Sequence, residues 1–348
     1  MDVSEEADLI NKNADESTGR IMVRAPLKFI GPYPAIGLRF PELATSSQRQ
    51  RNISGVALDF VLDTAANTNT LNAQVASELQ LPVVGQALPG VGSAGALMGG
   101  ETYLLGDAEL DGVPENFTFM TNLTASALPV ASPAAAGLLS LAFLQSFPAV
   151  DFHWGRRPVS EEIHEPPSIT FMDEVPHVML KDRVRVPIER IPVTQLPSIT
   201  VTVNGIEMPA LLDTGSPITV LNAQAAKHAG IGTIIESDEP KNPIAAMKHK
   251  VELANAATRG DVLSIFGAGG GRVNLIKSKE PVSVKVAGAD PGNTVDFGSG
   301  HLYVGDLPGL AALNGLGVDS PPAVVLGMDV LTRRAKMLLR AQVNEVWF

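Results

Sequence analysis

Two aspartates in this chain, Asp63 and Asp213, sit in nearly the same local sequence. Residues 61–74 read VLDTAANTNTLNAQ and residues 211–224 read LLDTGSPITVLNAQ, an ungapped match at an offset of 150. In both places an apolar run (DFVL, 59–62; PALL, 209–212) leads straight into Asp-Thr, followed by small residues and a second apolar run. Small residues after a strand signal a tight turn that lets backbone approach another group closely. Each carboxylate therefore ends a buried strand, where it is costly unless paired and hydrogen-bonded. Two such turns meeting about a pseudo-two-fold axis would bring the carboxyls together. They could not both ionise, so the pair would share a proton, with one pKa pushed up. One member could then act as an acid and the other as a base on a water held between them, which is hydrolytic chemistry with no metal or cofactor required.

The elements around the aspartates repeat as well, and a repeat of this length decides the fold. Upstream, MVRAPLKFIGPYPAIGLRF (22–40) parallels VRVPIERIPVTQLPSITVTVNG (184–205), each an extended arm, a proline and a strand of period two. Downstream come the glycine-rich stretches GVGSAGALMGG (90–100) and GAGGG (267–271). Each is followed by an apolar run and a short helix, AGLLSLAFLQSF (136–147) and AVVLGMDVLTRR (323–334). The last strands are expected to match as AVDFHW (149–154) and NEVWF (344–348). This divides the chain into an acidic, disordered tail at 1–19, one unit at 20–154, a charged and Pro-rich linker at 155–181 ending in a connecting strand, and a second unit at 182–348. The extra length of the second unit is expected in surface loops.

LLDTGSPITV (211–220) resembles the Asp-Thr-Gly-Ser signature of aspartic peptidases, and VVLGMDVL (324–331) resembles their second element, two apolar residues and a glycine before a short helix. The resemblance runs from about residue 22 to the end. The short units, each with its own glycine-rich flap, look retropepsin-like; two units in one chain look pepsin-like. The resemblance implies a mainly all-β fold of two homologous, closed, barrel-like lobes related by a pseudo-two-fold axis, each with a short helix. It implies Asp63 and Asp213 as the catalytic pair, sharing a proton as this family's dyad does. Thr64 and Thr214 would lock the two turns together from beneath. Gly215 would bring its amide to the centre, and Ser216 would donate its hydroxyl to Asp213. Flaps at 90–100 (Gly92, Gly95, Gly99) and 267–271 (Gly269, Gly270) would cover a peptide paired to them as an added strand. A monomer would suffice, because one chain supplies both aspartates.

The first unit departs from the signature. Ala65 stands where the second unit has Gly215, Ser140 stands where it has Gly327, and Ala66 lacks the hydroxyl of Ser216. If the Ala65 position needs a positive φ, the methyl costs on the order of 1 kcal/mol. The missing hydroxyl predicts an asymmetric pair with the pKa raised on the Asp63 side, and activity at weakly acidic pH. Two functions follow: an endopeptidase acting on peptide or protein substrates, or a catalytically impaired relative that uses the same fold for peptide binding or as a scaffold.

Composition excludes several other classes. Six histidines show no ligand spacing, and there is no cysteine, which removes thiol nucleophiles and zinc–thiolate sites. GVGSAG (90–95) matches a dinucleotide fingerprint but follows Pro89 and opens no helix. A formal charge of −11 disfavours nucleic acid and anionic membrane surfaces as partners. The uncharged stretch 127–150 holds prolines and serines and reads as a buried strand and short helix rather than a membrane span. The absence of cysteine and of an apolar leader favours a soluble protein of the cytoplasm or an organelle.

Overall fold

In the computed structural model of the chain, the described residues are 22–348 apart from 53, 88–89, 93–94, 98, 114–117, 129–133, 156–164, 193, 236–241, 267–271 and 308–320. The expected tail, most of the charged part of the linker and the second flap's tip, with Gly269 and Gly270, lie outside them.

Alternation of apolar and small residues makes Tyr33–Phe40 a strand, and its inward residues Ile36, Leu38 and Phe40 are fully buried. It pairs antiparallel with Val56–Leu62, the strand that delivers Asp63. Val56–Leu62 is flanked on its other side by Gly137–Leu139, running parallel. That segment pairs antiparallel with Thr70–Leu71, which runs parallel to Thr118–Ala127. Thr118–Ala127 pairs with Glu101–Leu110, and Leu110 returns to lie opposite Leu38. The six strands therefore close into a barrel around a core that includes Phe60, Leu62, Leu71 and Leu139, all without exposed surface.

The second lobe repeats the pattern. Pro197–Val203 pairs antiparallel with Ile206–Leu212, which delivers Asp213 and runs parallel to Val324–Leu326. Val220–Leu221 pairs with Val324–Leu326 and with Tyr303–Val304. The two long strands of the first lobe are broken here into Arg272–Lys277 with Val282–Ala287, and Thr294–Gly300 with Tyr303–Val304. The fold is mainly β, in two similar barrel-like lobes, each with its short helix (Leu141–Leu144 and Met328–Leu331).

The repeated Leu-Asn-Ala-Gln has a structural cause. Leu71 and Leu221 are fully buried. Asn72 and Asn222 cap the helices Ala73–Leu79 and Ala223–His228, accepting from the N–H of Gln74 at 3.0 Å and of Ala225 at 2.8 Å.

A third sheet joins the lobes. Its strand order is Met22–Pro26, Ser168–Met172, Ala149–His153, Lys336–Arg340, Glu345–Trp347, Arg185–Pro187. The seam is the antiparallel pairing of Ala149–His153 with Lys336–Arg340. Two expectations are corrected here. The counterpart of AVDFHW is Lys336–Arg340; NEVWF corresponds to Ser168–Met172, a strand that fell in the segment read as linker. The extra length of the second unit is not only loop. It includes a 16-residue helix, Pro243–Thr258, whose described side chains bury little beyond Ala256. Among the described residues no helix is long and apolar enough to cross a membrane.

Candidate active site

Asp63 and Asp213 each leave the end of their strand at the same point. The Asp63 N–H donates to the Leu139 carbonyl at 2.9 Å, and the Asp213 N–H to the Leu326 carbonyl at 3.1 Å. Below each turn the helix-start loop is tied in by Leu141 N–H to the Ala66 carbonyl (2.8 Å) and Met328 N–H to the Ser216 carbonyl (2.9 Å).

Thr64 and Thr214 are fully buried and interlock the lobes. The Thr64 hydroxyl donates to the Leu212 carbonyl (2.6 Å) and accepts from the Thr214 N–H (3.0 Å). The Thr214 hydroxyl donates to the Leu62 carbonyl (2.8 Å) and accepts from the Thr64 N–H (3.1 Å). All four hydrogen bonds cross the lobe interface and satisfy groups that have no access to water, so parting the lobes would strand each of them.

The two carboxyl groups, each partly exposed, hydrogen-bond each other. Asp63 accepts from the Ala65 N–H at 2.7 Å, and Asp213 from the Gly215 N–H at 2.8 Å and from the Ser216 N–H. Crowding by protein raises the Asp63 pKa to about 6, against the lowering effect of the Ala65 N–H and of its hydrogen bond with Asp213. Asp213 is raised well above its ordinary value, first by burial and then by the charge of Asp63. The rise therefore does not fall on Asp63 alone, as the sequence had suggested. Burial and mutual repulsion together outweigh the two amides that favour an ionised Asp213, and the pair titrates as a unit holding one proton between its two steps.

Two more site expectations change. The Ser216 hydroxyl donates to the Ile218 carbonyl (2.8 Å) rather than to Asp213; its backbone N–H makes the contact instead. Neither Ala65 nor Gly215 has a positive φ, so Ala65 carries no backbone strain. What the position restricts is room. A Cβ on Gly215 would fall 2.7 Å from Asp63 Oδ1 and closer still to Cγ and Oδ2. Gly327 is bound in the same way: a Cβ there would lie 3.0 Å from the Ser216 carbonyl oxygen and closer to that of Ile218.

Around the turns the lobes use different residues for the same task. In the second lobe the Thr219 hydroxyl accepts from the Gly327 N–H (3.0 Å) and donates to Asp329 (2.7 Å), a carboxyl whose pKa burial raises. In the first, Asn69 Oδ1 accepts from both the N–H (2.9 Å) and the hydroxyl (3.0 Å) of Ser140. Sequence reasoning passed over both, although Asn69 and Thr219 are themselves 150 residues apart. Asn67 adds a further tie between lobes, donating to the Thr194 carbonyl at 2.9 Å.

The first flap is a two-stranded hairpin, Gly90–Gly92 with Gly95–Leu97, followed by the exposed Gly99. The second is carried by the pair Val262–Phe266 and Arg272–Lys277, with Phe266 opposite Arg272. Among the described residues, no group of three or more His, Asp or Glu side chains is placed to hold a metal ion.

Residues 199–259, which include Asp213, match a family described as Aspartyl protease. The fold is aspartic-peptidase-like. No curated protein matches the chain. Solved structures that resemble it include an aspartic proteinase from Irpex lacteus (12% identity, 94% of this chain and 96% of that one, TM-score 0.46). Others are basic 7S globulin from soybean (11%, 94% and 94%, 0.46) and conglutin gamma from lupine seeds (13%, 94% and 94%, 0.47). In this aspartic-peptidase-like chain the lobes meet at their two aspartates.

Proposed function

We propose that the chain is an aspartic endopeptidase in which Asp63 and Asp213 are the catalytic dyad. The observation that carries this reading is the hydrogen-bonded pair of carboxyls, both with raised pKa values, at the meeting point of two interlocked turns. A pair that holds one proton has an acid and a base on the same water. The ionised member takes a proton from that water as it adds to the peptide carbonyl. The protonated member gives its proton to the carbonyl oxygen, and the tetrahedral intermediate then breaks with protonation of the leaving nitrogen. The substrate would lie extended between the two flap hairpins, adding a strand to them. Thr64, Thr214, Gly215 and Ala65 hold the dyad, through the interlock and the two short N–H contacts. One chain provides both halves of the site, so a monomer is active in this reading.

Incubation with a pool of extended peptides rich in apolar residues tests the proposal. Cleavage is expected from the unaltered chain and should fall at least a thousandfold in Asp213→Asn and in Asp63→Asn. Cleavage that survives both substitutions would refute it.

A second reading, binding without turnover, is favoured by one observation. Ala65 places a methyl at the position where its counterpart, Gly215, has no room for one. Tight binding of a non-cleavable peptide isostere together with no cleavage of any peptide would support that reading.

A further inference from the structure

The two sides of the dyad are not chemically equal, and one of the differences lies in a residue that the sequence motif does not include. Strand Tyr33–Phe40 pairs with the strand that ends at Asp63, with Ala35 opposite Val61. Carried two residues further, that register sets Tyr33 opposite Asp63, and directly opposed residues project their side chains to the same face. In the second lobe Ser198 lies opposite Leu211, so the same extension sets Leu196 opposite Asp213. Leu196 is buried and apolar, whereas Tyr33 is half-buried and carries a hydroxyl.

That hydroxyl is electrostatically coupled to the site. Burial, then the charges of Asp213 and Asp63, hold the phenol above its ordinary pKa. It therefore remains a hydrogen-bond donor at every pH at which the carboxyl pair is partly ionised. Among the described residues none hydrogen-bonds the Tyr33 hydroxyl. A half-buried phenol usually finds a partner for its O–H. Here the O–H is left to water or to a molecule bound on the face that Tyr33 shares with Asp63.

We propose that Tyr33 is a substrate-contact residue whose phenol donates to a main-chain carbonyl of an extended peptide on the Asp63 side of the dyad. The second lobe has no polar group at the matching position, so the contact fixes which way along the dyad a peptide lies. This rests on the peptidase reading.

The test uses the full chain and one peptide cleaved from the pool described above. Tyr33→Phe removes the donor and keeps the ring. KM is expected to rise about three- to tenfold with kcat within a factor of two, the signature of a lost binding contact of neutral hydrogen-bond strength. An unchanged melting temperature would show that the effect is not structural. Tyr33→Leu, which copies the second lobe, should raise KM at least as far. Turnover by the unaltered chain, abolished in Asp213→Asn, with KM unchanged in Tyr33→Phe would overturn this inference alone. No turnover by the unaltered chain would overturn it together with the peptidase reading.

Discussion

Gly215→Ala asks most of the site for the smallest change. The added Cβ would lie 2.7 Å from Asp63 Oδ1 and nearer to Cγ, where ordinary contact begins at 3.4 Å. The obstacle is a carboxyl held by the Ala65 N–H at 2.7 Å and by its partner aspartate, not the loose end of a long side chain. Relief therefore requires Asp63 to retreat by roughly 1 Å, and a misplacement of that size at reacting groups costs about a hundredfold in rate. The Thr64–Thr214 hydrogen bonds lie beneath the turns and are not touched, so the fold should survive. The expected result is a fall in kcat of about two orders of magnitude with a melting temperature within a few degrees of the parent. Ala65→Gly removes a methyl from the other turn without changing its φ region and should not lower kcat. Steady-state kinetics on one cleaved peptide, with circular dichroism melting, read both variants. Gly215→Ala turning over within a factor of three of the parent would refute the argument from crowding.

Thr64→Val keeps the shape of the interlock but leaves the Leu212 carbonyl and the Thr214 N–H unpaired, so urea denaturation should show a loss of about 2 to 4 kcal/mol. Thr64→Ser should recover most of it. The dyad gives a pH signature in both rate and stability. With Asp63 raised to about 6 and Asp213 raised well above its ordinary value, the acid limb of kcat should fall near pH 6, and a maximum near pH 2 would contradict the assignment. Because both folded pKa values lie above the unfolded ones, the pair's contribution to stability is full below pH 4 and is lost as pH rises through 6 and beyond. Asp213→Asn should therefore melt higher than the parent at pH 7, with the gap closing toward pH 4; a gap that widens on acidification would be the wrong sign. Arg183→Leu should cost about 3 to 5 kcal/mol by stranding Asp151, which it now holds through two hydrogen bonds of 2.6 and 2.9 Å in a nearly buried pair. Replacing Asp151 by Leu as well should restore most of that loss.

The parts legible in the sequence are those where the two halves solve a problem with the same residue. Aspartate, threonine and the helix-capping asparagine have no good substitutes at their positions, so they stand out at a constant offset. Where unlike groups serve one purpose the pattern vanishes: an amide at Asn69 and a hydroxyl at Thr219 both hold a helix-start loop. Tyr33 was invisible for another reason. It lies thirty residues before Asp63, and only strand register reveals that the two are opposed. The helix Pro243–Thr258 has almost no apolar periodicity, and its described side chains bury little, although its alanines, lysines and leucine favour a helix. The last strands of the two halves are not equivalent, because the seam of the joint sheet pairs Ala149–His153 with Lys336–Arg340, one strand before the end of the chain.

That joint sheet has a topological result of its own. Ser168–Met172, which follows the connection between the halves, is inserted between Met22–Pro26 and Ala149–His153, which precede it. Backbone cleavage anywhere between residues 155 and 165 would thus yield two fragments threaded through each other. They should elute together from a sizing column and separate only when denaturant opens the ladder on both sides of that strand.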